Sequence, residues 1–140
     1  MNIEKIDHIH VYVKDMDMAK ALFEKMLGTS FSPNIEDEKY AIRSSMEPFG
    51  LEIVSSMTPD GPIAKDIEKH GEGVHGISFK VDNLEEATAE MVAKGFKVVG
   101  KVKVGGLNEV QFHPRDTYGV MIELCEYPDR HGAARAALQE

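Results

Sequence analysis

Cysteine occurs once in these 140 residues, as Cys125, so no disulfide can form within the chain and a reducing, cytoplasmic setting is the expectation. No apolar run approaches the ~18 residues of a membrane-spanning helix, so no membrane partner is expected. The stretch Met1-Asn2-Ile3-Glu4-Lys5 lacks the apolar core of a signal peptide. Cations are in deficit, with 16 Lys and Arg against 24 Asp and Glu, a formal net charge of −8. That balance argues against nucleic acid, whose phosphates demand clustered cations. Linkers and low-complexity segments are missing too, apart from a tail from Asp129 to Glu140. Its Ala133-Ala134-Arg135-Ala136-Ala137-Leu138 allows a helical turn or two, although a frayed terminus is expected there. With 42% hydrophobic and 29% charged residues, the chain reads as one globular domain, 1–140, large enough for a real core.

What is present is a repetition, about 68 residues apart. Asp7-His8-Ile9-His10-Val11-Tyr12-Val13-Lys14-Asp15 leads into a helical stretch from Met16 to Met26 that stops at Gly28. His75-Gly76-Ile77-Ser78-Phe79-Lys80-Val81-Asp82-Asn83 leads into one from Leu84 to Ala93 that stops at Gly95. Near an offset of 71, Leu51-Glu52-Ile53-Val54 is matched by Ile122-Glu123-Leu124-Cys125. A duplicated strand–helix–strand unit needs a partner to bury its apolar face, so the two units should pack together and converge their polar residues between them.

Residues 8–13 alternate strictly, with Ile9, Val11 and Val13 on one face and His8, His10 and Tyr12 on the other. The same parity separates Ile77, Phe79 and Val81 from Gly76, Ser78 and Lys80. The apolar rows are expected beneath the helices, where Ala19, Leu22, Phe23 and Met26 recur at helical spacing. The opposite faces carry histidines, a tyrosine and a lysine, which suit a cavity better than a core. Further strands are expected at 40–45, 49–55, 97–104 and 109–113, and a linking helix opens at Asp60-Gly61-Pro62 and closes at Gly71. The order is βαβββ over about 6–57, a helix over about 62–70, and βαβββ again over about 73–128. The fold class is therefore α+β, with two curved mixed sheets, each backed by a helix, around a central cavity.

These residues together resemble the vicinal oxygen chelate superfamily, which includes glyoxalase I, methylmalonyl-CoA epimerase, extradiol dioxygenases and bleomycin-resistance proteins. Ile6-Asp7-His8-Ile9, Pro62-Ile63-Ala64 running on to Gly73-Val74-His75-Gly76-Ile77, and His113-Pro114-Arg115-Asp116 leading to Gly119-Val120-Met121-Ile122-Glu123-Leu124 look most like the epimerase. The resemblance implies one divalent metal ion (Zn, Ni, Co, Mn or Fe), held by residues from the first and last strands of each repeat. By position these are His8, Glu52 and Glu123. The fourth falls on the repeat partner of His8, residue 76, which is glycine. Such epimerases carry two adjacent histidines here and bind metal through the second, whereas this chain keeps only the first, His75. On a regular strand His75 points towards the helix side, and a one-residue bulge beside Gly76 would turn it inward. His10, ~6.6 Å beyond His8 on the same face, offers another nitrogen.

The resemblance implies a metal-dependent lyase or isomerase that removes a proton next to a metal-polarised carbonyl, as in glyoxalase I or an acyl-CoA epimerase. Glu123 or Glu52 would be the catalytic base. His10, Tyr12, Ser78 and Gln111 would line a small-molecule substrate site, and Arg43 and Lys80 are candidates to hold its carboxylate or phosphate. The strand from Tyr40 to Ser44 lacks the extra carboxylate that some epimerases carry. A metal-free binding protein of the bleomycin-resistance type is the alternative that Gly76 favours. An extradiol-type dioxygenase, with His75 or His10 completing the ligands and Tyr118 or His113 as acid–base group, is a third. A homodimer is expected by the same resemblance.

Overall fold

A computed structural model of the chain describes residues 1–128, so the tail expected from Asp129 onward lies outside the described residues. Among the described residues three α-helices and eight strands follow one another as β1 (Ile3–Tyr12), α1 (Met16–Leu27), β2 (Ile35–Asp37), β3 (Ile42–Met46), β4 (Leu51–Ser56), α2 (Pro62–His70), β5 (Gly73–Val81), α3 (Leu84–Ala93), β6 (Val98–Val104), β7 (Leu107–Phe112) and β8 (Met121–Glu126). The helices begin where their caps dictate. Asp15 and Asn83 accept hydrogen bonds from the backbone N–H of Met18 and Glu86, and Pro62 opens α2. Gly28 closes α1 in the left-handed conformation, at φ 65°.

The strands form one sheet in the order β2-β3-β4-β1-β5-β8-β7-β6. Its halves are the two expected four-stranded units, joined along the antiparallel β1–β5 pair. Within each half the first strand runs parallel to the last, β1 to β4 and β5 to β8, and the other pairings are antiparallel. The short β2 supplies the third strand that the βαβββ order requires of repeat 1.

The sheet curls, because residues far apart in strand order meet on its concave side. Met46 of β3 packs with Leu107, Cys125 and Tyr127, and with Ile35 of β2 and Val104 of β6 against them. This plug brings together opposite flanks of the sheet. Also on the concave side, α2 lays Ile63 and Ile67 on Tyr12, Val54 and Ile42. On the convex side α1 covers Ile53 and Val13 with Met16, Ala19 and Phe23, and α3 covers Leu124, Val110 and Phe112 with Leu84 and Ala87.

The apolar rows of the repeats are less uniformly covered than their alternation predicts. Val13 and Val81 are buried, Val11, Ile77 and Phe79 are half-buried, and Ile9 is 38% exposed. The helices lie over β4 and over β7–β8, so the central β1–β5 pair keeps part of its back bare. On α1 the inward stripe is Met16, which is buried, with Ala19 and Phe23 half-buried, while Leu22 and Met26 face solvent.

Leu124 (2% exposed) sits under α3, so Leu124→Ala should lower unfolding free energy by about 2–5 kcal/mol in urea titrations. Val74→Ala, at a site 66% exposed, should change it by less than about 0.5 kcal/mol.

Candidate metal centre

The β1–β5 ladder is regular except where a residue is squeezed out of register. Ile6 pairs with Phe79 and His8 with Ser78, which leaves Asp7 without a partner; His10 pairs with Gly76 and Val11 with Val74, which leaves out His75. Asp7 and His75 occupy equivalent places in the two repeats, so each repeat carries the same β-bulge. Neighbouring side chains on a regular strand point to opposite faces. The bulge at Asp7 removes that restriction, and its carboxylate Oδ2 lies 2.7 Å from Nδ1 of His8. The other oxygen of Asp7 accepts a hydrogen bond from the Tyr127 hydroxyl. The bulge at His75 has a different result. Its ring stacks on Tyr12 at 4.4 Å, and its Nε2 meets the Gly71 carbonyl at 2.8 Å.

Past Asp7, the other ring nitrogen of His8 faces three carboxylates. Its Nε2 is 3.0 Å from Oε1 of Glu123, 3.5 Å from Oε2 of Glu109 and 3.8 Å from Oε2 of Glu52. His10 joins from two residues along, with Nε2 3.3 Å from Glu123 and 3.8 Å from Glu52. The side-chain amide of Gln111 donates to the second oxygen of Glu123 at 2.7 Å. His8, His10 and Glu123 are each at most 3% exposed.

This crowding sets the charges. Burial alone would push the pKa of His8 down, but hydrogen bonds to Asp7, Glu109 and Glu123 reverse that and hold it well above 6.5. Burial pushes Glu123 up, and the two imidazoles overcome it, so Glu123 stays ionised far below the usual carboxylate range. Glu109 is only partly relieved. Burial and the charge of Glu123 outweigh the His8 ring beside it and raise its pKa well above 4.5. Burial likewise leaves Glu52 raised, despite His10 and His8 nearby. Asp7 is lowered: hydrogen bonds from His8 and Tyr127 outweigh its burial.

The donors fit a divalent cation. The ligand atoms of His8, His10 and Glu123 lie within 4.8 Å of one another, as do those of His8, Glu52 and Glu109. Imidazole with carboxylate suits Zn, Ni, Co, Mn or Fe. The Asp7–His8 pair is the outer-shell arrangement that fixes a metal-bound ring.

Of the residues singled out in the sequence, His8, His10, Glu52, Glu123 and Gln111 therefore converge. Tyr12 and His75 line the same cavity farther along, and His75 is outside the donor groups because the bulge sends its ring to Tyr12. Ser78 is buried beneath the cluster, opposite His8. Arg43 and Lys80 are elsewhere. Arg43 bonds Glu36 on the neighbouring edge strand, and Lys80 bonds Glu4 and lies over the Tyr127 ring. Neither lines the cavity. Tyr118 is fully exposed, while His113 stands at the cavity rim. Sequence reasoning missed Glu109, although it stands two residues before Gln111 and so shares its face.

The cavity above the cluster measures about 690 Å³. The descriptor "Glyoxalase/Bleomycin resistance protein/Dioxygenase superfamily" matches residues 7–112, and the chain belongs to that superfamily. Over 130 residues it is 28% identical to the uncharacterized protein YqjC of Bacillus subtilis, covering 89% of this chain and 93% of that one. It is 27% identical to the human mitochondrial methylmalonyl-CoA epimerase, covering 88% and 74%. The methylmalonyl-CoA epimerase of Streptomyces coelicolor, solved with 2-nitronate-propionyl-CoA, superposes with a TM-score of 0.82 at 24% identity, covering 94% and 99%. That likeness shows the fold.

Because cation binding must displace the proton on His8, Zn²⁺ affinity should rise with pH until His8 is neutral, at a value above 6.5. Titration heats near neutral pH should then depend on the buffer's ionisation enthalpy. Asp7→Asn should cost about 10–100-fold in Zn²⁺ affinity while the protein stays folded.

Proposed function

We propose that the chain is a metal-dependent enzyme of the acyl-CoA epimerase type, which moves a proton at the carbon next to a thioester carbonyl. The observation that carries this reading is the group of three carboxylates around His8 at the base of a substrate-sized cavity. Matches to methylmalonyl-CoA epimerases support the substrate class. So do Lys69 and Arg115, which with His70 and His113 line the same cavity beside Asp37 and Asp66 and give an anionic ligand cationic partners.

His8, Glu52 and Glu123 would hold the ion. When bound, it would polarise the carbonyl oxygen and stabilise the negative charge that develops there. Glu123 is anchored by His8, His10 and Gln111 and stays in place. Glu52 is the loosest donor, 3.8 Å from either imidazole, and so is the carboxylate placed to leave the ion and accept the substrate's proton. Glu109 enters from repeat 2 beside the same nitrogen of His8, which places a second carboxyl group to return a proton. Epimerisation needs such a pair, one group taking the proton and another delivering it.

The two-histidine, one-carboxylate group of His8, His10 and Glu123 favours a second reading, an iron-dependent dioxygenase. Dioxygen uptake with Fe²⁺ and a catechol would reveal it. A homodimer belongs to the leading reading, since Ile3, Ile6 and Ile9 remain exposed along the back of β1, where a second copy can cover them. Light scattering should give twice the chain mass, falling to one for Ile6→Lys.

In D₂O, the Co²⁺-loaded protein should wash the α-hydrogen out of methylmalonyl-CoA, followed by NMR, and erase its optical activity. Glu52→Gln should slow exchange by about 10²–10⁴-fold. Glu123→Gln should lose the metal while keeping the fold. Tight binding of the thioester with neither metal uptake nor exchange would replace this reading with that of a metal-free binding protein.

A further inference from the structure

We propose that His10 has taken over the metal-donor position that repeat symmetry assigns to residue 76, so both imidazole donors come from β1. The inference rests on the metal-dependent reading above and identifies what completes the centre.

The argument begins with the ladder at the middle of the sheet. His8 pairs with Ser78, and His10 pairs with Gly76. The repeat relation carries His8 onto Gly76 and His10 onto Ser78, so these two rungs are each other's images. Two imidazoles therefore stand on β1, faced across the ladder by two of the smallest residues on β5. A symmetric centre would take one nitrogen from each strand. Here that distribution has collapsed onto one strand.

Space explains why it cannot be otherwise while His10 is present. A β-carbon built on Gly76 would collide with Nδ1 of His10 and lie 3.3 Å from its Cγ, with the Met121 carbonyl oxygen at 3.1 Å. No side chain fits at position 76 unless the His10 ring leaves. The glycine is thus required by the histidine opposite, not by its own backbone conformation.

The ring is also aimed as a donor. His8 and His10 meet edge to face, centroids 5.0 Å apart at 68°. That arrangement turns both Nε2 atoms onto the same Glu123 oxygen, at 3.0 and 3.3 Å. His10 is 2% exposed and its Nδ1 has no hydrogen-bond partner. The unpaired Nδ1 carries a desolvation cost of its own, which the contacts of Nε2 have to offset. Bonding of Nε2 to a cation shared with His8 and Glu123 would offset it. His75, the other nitrogen available on β5, is committed to Tyr12 and the Gly71 carbonyl.

The test is calorimetric titration of Co²⁺ into the metal-stripped chain, with the visible Co²⁺ spectrum as a readout of nitrogen donors and thermal melting as a check of folding. Four variants suffice: His10→Ala, Gly76→His, the double variant His10→Ala/Gly76→His, and His75→Ala. His10→Ala should weaken Co²⁺ binding by more than the ~10–100-fold typical of losing an outer-shell partner, and should shift the spectrum. Gly76→His alone should bind more weakly than wild type, because two rings compete for one space. The double variant should regain affinity over His10→Ala, since an imidazole now enters the same space from β5. His75→Ala should bind as wild type does. Wild-type binding by His10→Ala, or tighter binding by Gly76→His with His10 in place, overturns the inference alone. A wild type that takes up no Co²⁺ overturns it together with the metal-dependent reading. A Co²⁺ site that needs His10 but supports no α-hydrogen exchange leaves the inference standing and removes the epimerase reading.

Discussion

Three glutamate side chains crowd one nitrogen of His8, and the rest of the structure depends on how their charge is settled. Two ionised carboxylates ~4 Å apart repel by about 4 kcal/mol even at an effective dielectric constant near 20. Three in a buried site cannot coexist unless a proton or a cation is placed among them. Without a metal, the chain answers with protons: His8 is charged between Asp7 and Glu123, and Glu109 is held towards its acid form. Such a site is poised to exchange protons for a divalent ion. The same unresolved charge is costly to stability, which the plug of Met46, Leu107, Cys125 and Tyr127 and the helix-backed cores must offset.

The geometry of that cluster comes from a duplication that has been kept in the backbone and abandoned in the side chains. Both repeats bulge at the same place, at Asp7 and at His75. In repeat 1 the bulge lets a carboxylate grip the ring of its own neighbour. In repeat 2 it delivers an imidazole to Tyr12, away from the carboxylates. One half of the molecule therefore supplies the nitrogens and one of the glutamates, Glu52, while the other half supplies Glu109, Gln111 and Glu123. Chemistry that takes a proton from one side and returns it from another has use for such asymmetry.

The cavity carries a second asymmetry. Its floor concentrates carboxylates, and its rim carries Lys69, His70, His113 and Arg115 although the chain as a whole is strongly acidic. A cation would be drawn to the floor, while Lys69 and Arg115, beside Asp37 and Asp66, offer partners to an anionic ligand farther out. The linking helix α2 serves this division. Its apolar residues Ile63 and Ile67 seat it on Tyr12 and Val54, and its last turn presents Lys69 and His70.

The repeat, its element order and the inward row of His8, His10, Tyr12, Glu52, Gln111 and Glu123 are legible in the sequence, because alternation along a strand and apolar spacing along a helix are local properties. Glu109 was within reach of the same parity argument. Three things were not. Whether Ile9 or Leu22 is covered depends on where the helices settle across the sheet, a question of packing between distant segments. Where His75 points depends on one extra residue in a ladder, since a single slip reverses every side chain beyond it. And Gly76 reads in the sequence as a missing ligand, whereas in the folded chain it is the space occupied by His10. That relation exists only once β1 and β5 lie side by side, because it is a contact between residues 66 positions apart and no local rule reaches so far.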